Sequence, residues 1–214
     1  MLLSYGLALD IDDTLSITNI AIIEGLQKKF GNPSGMQPHE ILKSFSHHTE
    51  IPYWKTPDHE IWKKELVEGS EFYKDLSVIE NASYCVNKID SIIPISCYMT
   101  ARPDNVIEAT KIWLQKHGFP DRPIVAKPRD IPFHLGNAWK AKKLVEHAST
   151  IIGIVEDNSH IIGELPKDYT GTIFLYDPHG HEAYDQTTQI NVIPCRTWDH
   201  VYEKIISLHP QFQP

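Results

Sequence analysis

Apolar and polar positions alternate along this chain in two distinct periods, and the switch between them sets out the fold. Leu7-Ala8-Leu9 is a short apolar run near the start of the sequence that stops at Asp10-Ile11-Asp12-Asp13-Thr14-Leu15. A run of that length with a polar break reads as a buried strand. Ile20, Ile23, Leu26, Gln27 and Phe30 then recur at helical spacing, with Thr18 as the expected cap and Gly31-Asn32-Pro33-Ser34-Gly35 as the stop. Helical patterns continue from Pro38 through Ile41, Leu42 and Phe45, from Pro57 through Ile61, Trp62 and Leu66, and from about Val78 to Ile89. No strand pattern interrupts the span from Thr18 to Asp90.

Beyond Asp90 strands return. Ile92 to Met99 reads as a buried strand ending at Thr100-Ala101-Arg102-Pro103, and Pro103 is expected to start a helix with Val106, Ile107, Thr110, Trp113, Leu114 and His117 on one face. Arg122 to Ala126 predicts the next strand and Asn137 to His147 a lysine-rich helix. Ile151 to Val155 predicts another strand, ending at Glu156-Asp157-Asn158. Thr172 to Tyr176 and Gln189 to Pro194 complete the strands, and Trp198 to Leu208 forms a terminal helix. Strands alternating with helices predict an α/β, Rossmann-like parallel sheet flanked by helices. The expected division is an α/β core of residues 1–17 and 91–214, with a small helical cap, 18–90, inserted after the first strand.

Composition narrows the functional classes. The 214 residues suffice for one cored domain with an insertion, and 41% hydrophobic and 22% charged residues are ordinary for a soluble protein. A net charge of −8 argues against polymeric nucleic acid as a partner. No run of about eighteen apolar residues predicts a membrane span, and Met1-Leu2-Leu3 lacks the basic flank of a secretory signal. Cys85, Cys97 and Cys195 are odd in number and widely spaced, which suits reduced thiols in a cytoplasmic protein. The twelve histidines offer only His47-His48 and His179/His181 as close pairs, without zinc spacing, and are expected on the surface or in loops.

The candidate chemistry lies where strands end. Asp10/Asp12, Thr100 and Glu156/Asp157 each follow an apolar strand, and parallel strands bring their carboxyl ends to one edge. Asp10 and Asp12 alternate onto the same side, and such paired carboxylates call for a hard cation or a shared proton. An acidic cluster after a strand also suits a solvated turn.

The order carboxylate pair, Thr100, Lys, acidic pair resembles the haloacid dehalogenase (HAD) superfamily, whose first motif matches Asp10-Ile11-Asp12-Asp13-Thr14-Leu15. The resemblance spans nearly the whole chain and implies a Mg²⁺-dependent phosphomonoester hydrolase. By that resemblance Asp10 is the nucleophile that becomes an aspartyl-phosphate, and Asp12 protonates the leaving oxygen and then activates water. The same resemblance implies Mg²⁺ held by Asp10, the backbone carbonyl of Asp12, and Asp157, with Glu156 reaching it through water or supporting the loop. Thr100 and the backbone of Ala101 bind the transferring phosphoryl group. Arg102 either contacts that phosphate or pairs with a carboxylate at the core edge. The third-motif lysine is Lys140, with Lys127 of Ala126-Lys127-Pro128 as the rival. An acid at position 12 points to full phosphatase turnover rather than dehalogenation.

Within the superfamily, Thr100-Ala101-Arg102, the helical insert with Trp62 and Phe72-Tyr73, and Val155-Glu156-Asp157 resemble the 5′-nucleotidase and 5′(3′)-deoxyribonucleotidase-like group. So do Phe174 to Pro178 and Arg196-Thr197-Trp198 in the tail. That resemblance implies a small-molecule phosphate ester, a nucleoside monophosphate, as substrate for a monomer or homodimer. Another ester such as a sugar phosphate, or a catalytically silent binding module, are the alternatives. Trp54, Trp62, Phe72 and Tyr73 either stack on a base or form the cap's own core.

Overall fold

A computed structural model describes residues 5–45, 47–180 and 184–208. Six parallel strands, β1 (Gly6–Leu9), β2 (Ile95–Pro103), β3 (Ile124–Lys127), β4 (Ile151–Glu156), β5 (Thr172–Tyr176) and β6 (Asn191–Cys195), form one sheet. Their order is β3-β2-β1-β4-β5-β6. β1 is central and pairs with β2 and β4, so Leu7, Ala8 and Leu9 are buried on both faces of the sheet. That position explains the uninterrupted apolar run near the start of the sequence. The sequence order reverses on either side of β1, which makes the crevice beyond its carboxyl end the place where such sheets bind ligands.

The long helices are α1 (Thr18–Phe30), α3 (Pro57–Glu68), α5 (Ala82–Asp90), α6 (Ile107–Lys116), α7 (Gly136–Glu146) and α9 (Trp198–Leu208). Three five-residue helices, α2 (Pro38–Leu42), α4 (Ser70–Lys74) and α8 (His160–Glu164), join them. The helical stretch after β1 packs in two places. Ile22, Ile23, Leu26, Ile41, Leu42, Ile51 and Trp54 form a separate cluster above the sheet edge, with Trp62 and Phe72 against it. Ala82, Cys85, Val86 and Ile89 of α5 instead join the sheet's own core with Val201 and Ile205 of α9. Two neighbouring segments connect the clusters: Ile17 N–H donates to Ser77 O and Ile79 N–H to Leu15 O, each at 2.8 Å. The small helical unit is therefore hung on a two-segment neck.

Several sequence expectations are corrected at element ends. Pro103 does not start a helix; β2 runs through Arg102 and Pro103, and α6 begins only at Ile107 after a 3₁₀ turn over Asp104–Val106. The fourth helical pattern starts at Ala82 rather than Val78, because Val78 bridges to Ser16 in the neck. Thr18 does not cap α1 with its side chain. Asp13 does so from five residues upstream, accepting from the backbone N–H groups of Thr18 and Asn19 at 3.0–3.1 Å. To reach them Asp13 adopts φ 55°, a left-handed conformation that aspartate tolerates better than most residues. The short helices α4 and α8 have too few turns to show a helical period.

Candidate active site

The carboxyl end of β1 delivers Asp10 and Asp12 to a cavity of about 250 Å³ between the sheet edge and the helical unit. The cavity wall also includes Ala101, Arg102, Lys140, Glu156 and Asp157. Ends of β1, β2 and β4 and the start of α7 thus converge, as the strand-end pattern in the sequence requires.

Lys140 is the centre of one half of the site. Its Nζ donates to Asp10 Oδ1 and Glu156 Oε2, both at 2.6 Å, and all three side chains are buried. Burial works against the ammonium charge, but Asp10 and Glu156 outweigh it and hold the pKa of Lys140 well above its ordinary value. Lys127 does not reach the site; its Nζ donates to the backbone oxygens of Pro128 and Ile131. Of the two lysines weighed from the sequence, Lys140 is the one that meets Asp10.

Asp10, Glu156 and Asp157 each offer a carboxylate oxygen, all within 4.8 Å of one another. Burial pushes the Asp10 and Asp157 carboxyls upward, and mutual repulsion adds to it; Lys140 pulls the other way. Three carboxylates facing one ammonium leave negative charge in a buried place, which hard oxygen-seeking cations relieve. Both Glu156 oxygens are engaged, one by Lys140 and one by the Asn158 N–H at 3.2 Å. Asp10 Oδ2 and Asp157 are the better-placed donors. Thr14 Oγ1 donates to Asp157 Oδ1 at 3.2 Å, and Trp198 Nε1 donates to Thr14 O at 2.8 Å, which ties the acidic loop to α9.

The Asp12 side chain belongs to the other half of the site. Arg102 Nε lies 3.1 Å from both of its oxygens and Nη2 lies 2.8 Å from Oδ1. Arg102 is only 2% exposed. Its remaining donors meet Ser16 Oγ and Thr110 Oγ1, and its guanidinium lies 4.3 Å from the centre of the Tyr73 ring. Arg102 forms the ion pair weighed as one of its two roles, and it also lines the cavity. Burial tends to raise the Asp12 carboxyl, but the charge and hydrogen bonds of Arg102, with Thr18 Oγ1 at 2.7 Å, hold it below the usual range.

Thr100 is wholly buried, and its Oγ1 accepts from the Arg102 N–H at 3.1 Å. The wall at this strand is formed by Ala101, Arg102 and Pro103, with Thr100 behind it. Of the histidines, expected on the surface or in loops, His47, His48, His134 and His160 line the cavity, His134 and His160 being exposed, while His181 of the second pair lies outside the described residues. Their positions depend on loop conformation and carry no periodic signal. Among the described residues, the one cluster of metal-ligating type is the acidic trio. The cap aromatics divide. Trp54, Trp62 and Phe72 pack into the helical unit's own core, whereas Tyr73 lines the cavity beneath Arg102.

No family model matches the chain, and neither does any curated protein. Solved structures do match the fold. A predicted phosphatase from Clostridium acetobutylicum is 14% identical with a TM-score of 0.56, over 97% of this chain and 100% of that one. A dehalogenase in an intermediate complex is 10% identical with a TM-score of 0.58, over 95% and 98%. A HAD family hydrolase from Deinococcus radiodurans R1 with bound phosphate and sodium is 11% identical with a TM-score of 0.51, over 98% and 97%. The fold is that of haloacid dehalogenase-like hydrolases.

Proposed function

We propose that this chain hydrolyses a small phosphate monoester through a phosphoryl group carried on Asp10. The observation that carries this reading is the pairing of Asp10, fixed by buried Lys140, with a second acid, Asp12, on the same cavity wall. The residues suit Mg²⁺, which Asp10, Asp157 and the Asp12 backbone carbonyl would hold; when bound it neutralises phosphate charge and aligns the ester for in-line attack. In the first step the Asp10 carboxylate attacks phosphorus and the ester P–O bond breaks, the departing oxygen taking its proton from the protonated fraction of Asp12. In the second, Asp12 takes a proton from water as that water attacks phosphorus, and the Asp10–phosphoryl bond breaks to release phosphate. Lys140 keeps the nucleophile's position and offsets the charge gathered around it.

Dehalogenases share the fold, so the acid at position 12 is the feature that favours phosphoryl transfer with turnover. The reading extends to nucleoside monophosphates as one candidate class. The position of Trp54, Trp62 and Phe72 inside the helical unit removes three of the side chains a base would stack on. Phosphate release from nucleoside monophosphates, sugar phosphates and p-nitrophenyl phosphate, with Mg²⁺ and with EDTA, tests the proposal. Metal-dependent release from any of them supports it. Release of halide from a 2-haloacid, with no phosphate from any ester, overturns it.

A further inference from the structure

We infer that His47 and His48 form a donor–acceptor pair that selects esters whose leaving group carries neighbouring hydroxyls, an inference that rests on the hydrolase reading above. The pair lies in a 3₁₀ corner at the start of His48–Glu50, and both residues line the cavity. The two rings pack at 4.1 Å between centroids.

Their tautomers follow from their partners. The His48 backbone N–H donates to Asn19 Oδ1 at 3.2 Å, so that oxygen is an acceptor. His48 Nδ1 meets the same oxygen at 2.6 Å and must therefore carry the proton. Its Nε2 is then the acceptor. His47 is arranged the opposite way: Thr49 N–H donates to His47 Nδ1 at 3.3 Å, which makes Nδ1 the acceptor and Nε2 the N–H donor. Adjacent rings thus offer one donor and one acceptor. A hydroxyl both donates and accepts, so two neighbouring hydroxyls satisfy the pair in a way that neither a carboxylate nor an ammonium can.

The surroundings support this assignment. Burial lowers the pKa of both imidazoles, aided by the nearby charge of Lys63, so both are neutral near pH 7. His47, His48 and Asp12 line the same cavity, so the pair shares it with the group assigned to protonate the leaving oxygen. The cations of this region are engaged: Lys63 pairs with Glu60 at 2.6 Å, and Arg102 with Asp12. A cavity of about 250 Å³ is smaller than the roughly 300–1,000 Å³ of sites for drug-sized ligands, and suits a short polyol phosphate.

The test compares sn-glycerol 3-phosphate, which has a vicinal diol, with propyl phosphate, which has the same carbon length and none. Two hydrogen bonds to neutral partners predict a ratio of kcat/KM of about tenfold or more in favour of glycerol 3-phosphate. The same preference is expected in the affinity of Asp10→Asn protein measured by calorimetry. His48→Asn keeps an amide that can reach Asn19 but loses Nε2, and His47→Phe loses its donor; each is expected to bring the ratio toward one. Equal kcat/KM for the two esters in the wild type overturns the inference, as does a preference that survives both substitutions. If no ester is hydrolysed but the Asp10→Asn protein binds glycerol 3-phosphate preferentially, the hydrolase reading fails and the selectivity stands. Hydrolysis without preference leaves the hydrolase reading and removes the selectivity.

Discussion

Arg102 holds both carboxylate oxygens of Asp12 from a side chain that is almost wholly buried, 90 residues away in sequence. The guanidinium is fixed in turn by Ser16, Thr110 and the face of Tyr73, so the acid assigned to proton transfer has one orientation. Arg102 is accordingly a positioning residue that acts through Asp12.

That relationship predicts non-additive kinetics. General acid–base catalysis is typically worth about 10²–10⁴-fold, and Arg102→Met is expected to forfeit much of that factor. Arg102→Lys should recover little, because a single ammonium cannot reproduce the two-pronged contact. Adding Arg102→Met to Asp12→Asn should then cost little beyond Asp12→Asn alone. Steady-state kcat for wild type and the four variants checks this; losses that multiply would mean that Arg102 acts separately from Asp12.

Lys140 joins two buried carboxylates, so its removal should be costly to folding as well as to turnover. Lys140→Met leaves Asp10 and Glu156 facing one another without the ammonium, and breaking a buried pair typically costs about 3–5 kcal/mol. Glu156→Gln in the Lys140→Met background removes one of the uncompensated charges and should restore part of the loss. Urea unfolding without added metal measures both effects. A Lys140→Met protein as stable as the wild type would contradict the arrangement.

How far the site was legible in the sequence depended on what each residue answers to. Asp10, Asp12, Glu156 and Asp157 sit where apolar strands stop, and a parallel sheet aligns those stops, so their convergence follows from pattern alone. Lys140 is preferred over Lys127 in the sequence for its distance from β4 and its place at a helix start, and its contact with Asp10 is visible only in the structure. Asp13 as the cap of α1, Thr100 behind the wall, and Arg102 turned to Asp12 depend on a left-handed residue and on β2 continuing four residues beyond its apolar run, to Pro103. The insertion's longer helices were readable from their periods, and the five-residue α4 was not. The joining of α5 to α9 was not, because an apolar helix face does not name its partner.

Acid titration of stability should reveal His48. Burial, with His47 and Lys63 nearby, keeps its folded-state pKa well below the unfolded value of about 6.5. The folded protein therefore binds fewer protons than the unfolded chain below that pH, and the stabilisation present above about pH 6.5 is lost as pH falls. The slope approaches about 1.4 kcal/mol per pH unit for one imidazole. The raised carboxyls Asp10 and Asp157 act with the opposite sign, so the informative quantity is the difference between wild type and His48→Gln. That difference, from urea unfolding at pH 5 to 8, should shrink as pH falls; a constant difference would show that His48 is not held neutral.

The most direct test of the central claim is the covalent state of Asp10 during turnover. Wild-type protein turning over p-nitrophenyl phosphate with Mg²⁺ is quenched in acid, digested and analysed by mass spectrometry. A phosphoryl mass increment on Asp10 in the peptide spanning Gly6 to Leu15, absent from Asp10→Asn protein that releases no phosphate, is the predicted result. Undiminished phosphate release by Asp10→Asn, or turnover with the phosphoryl group on another side chain, would contradict it.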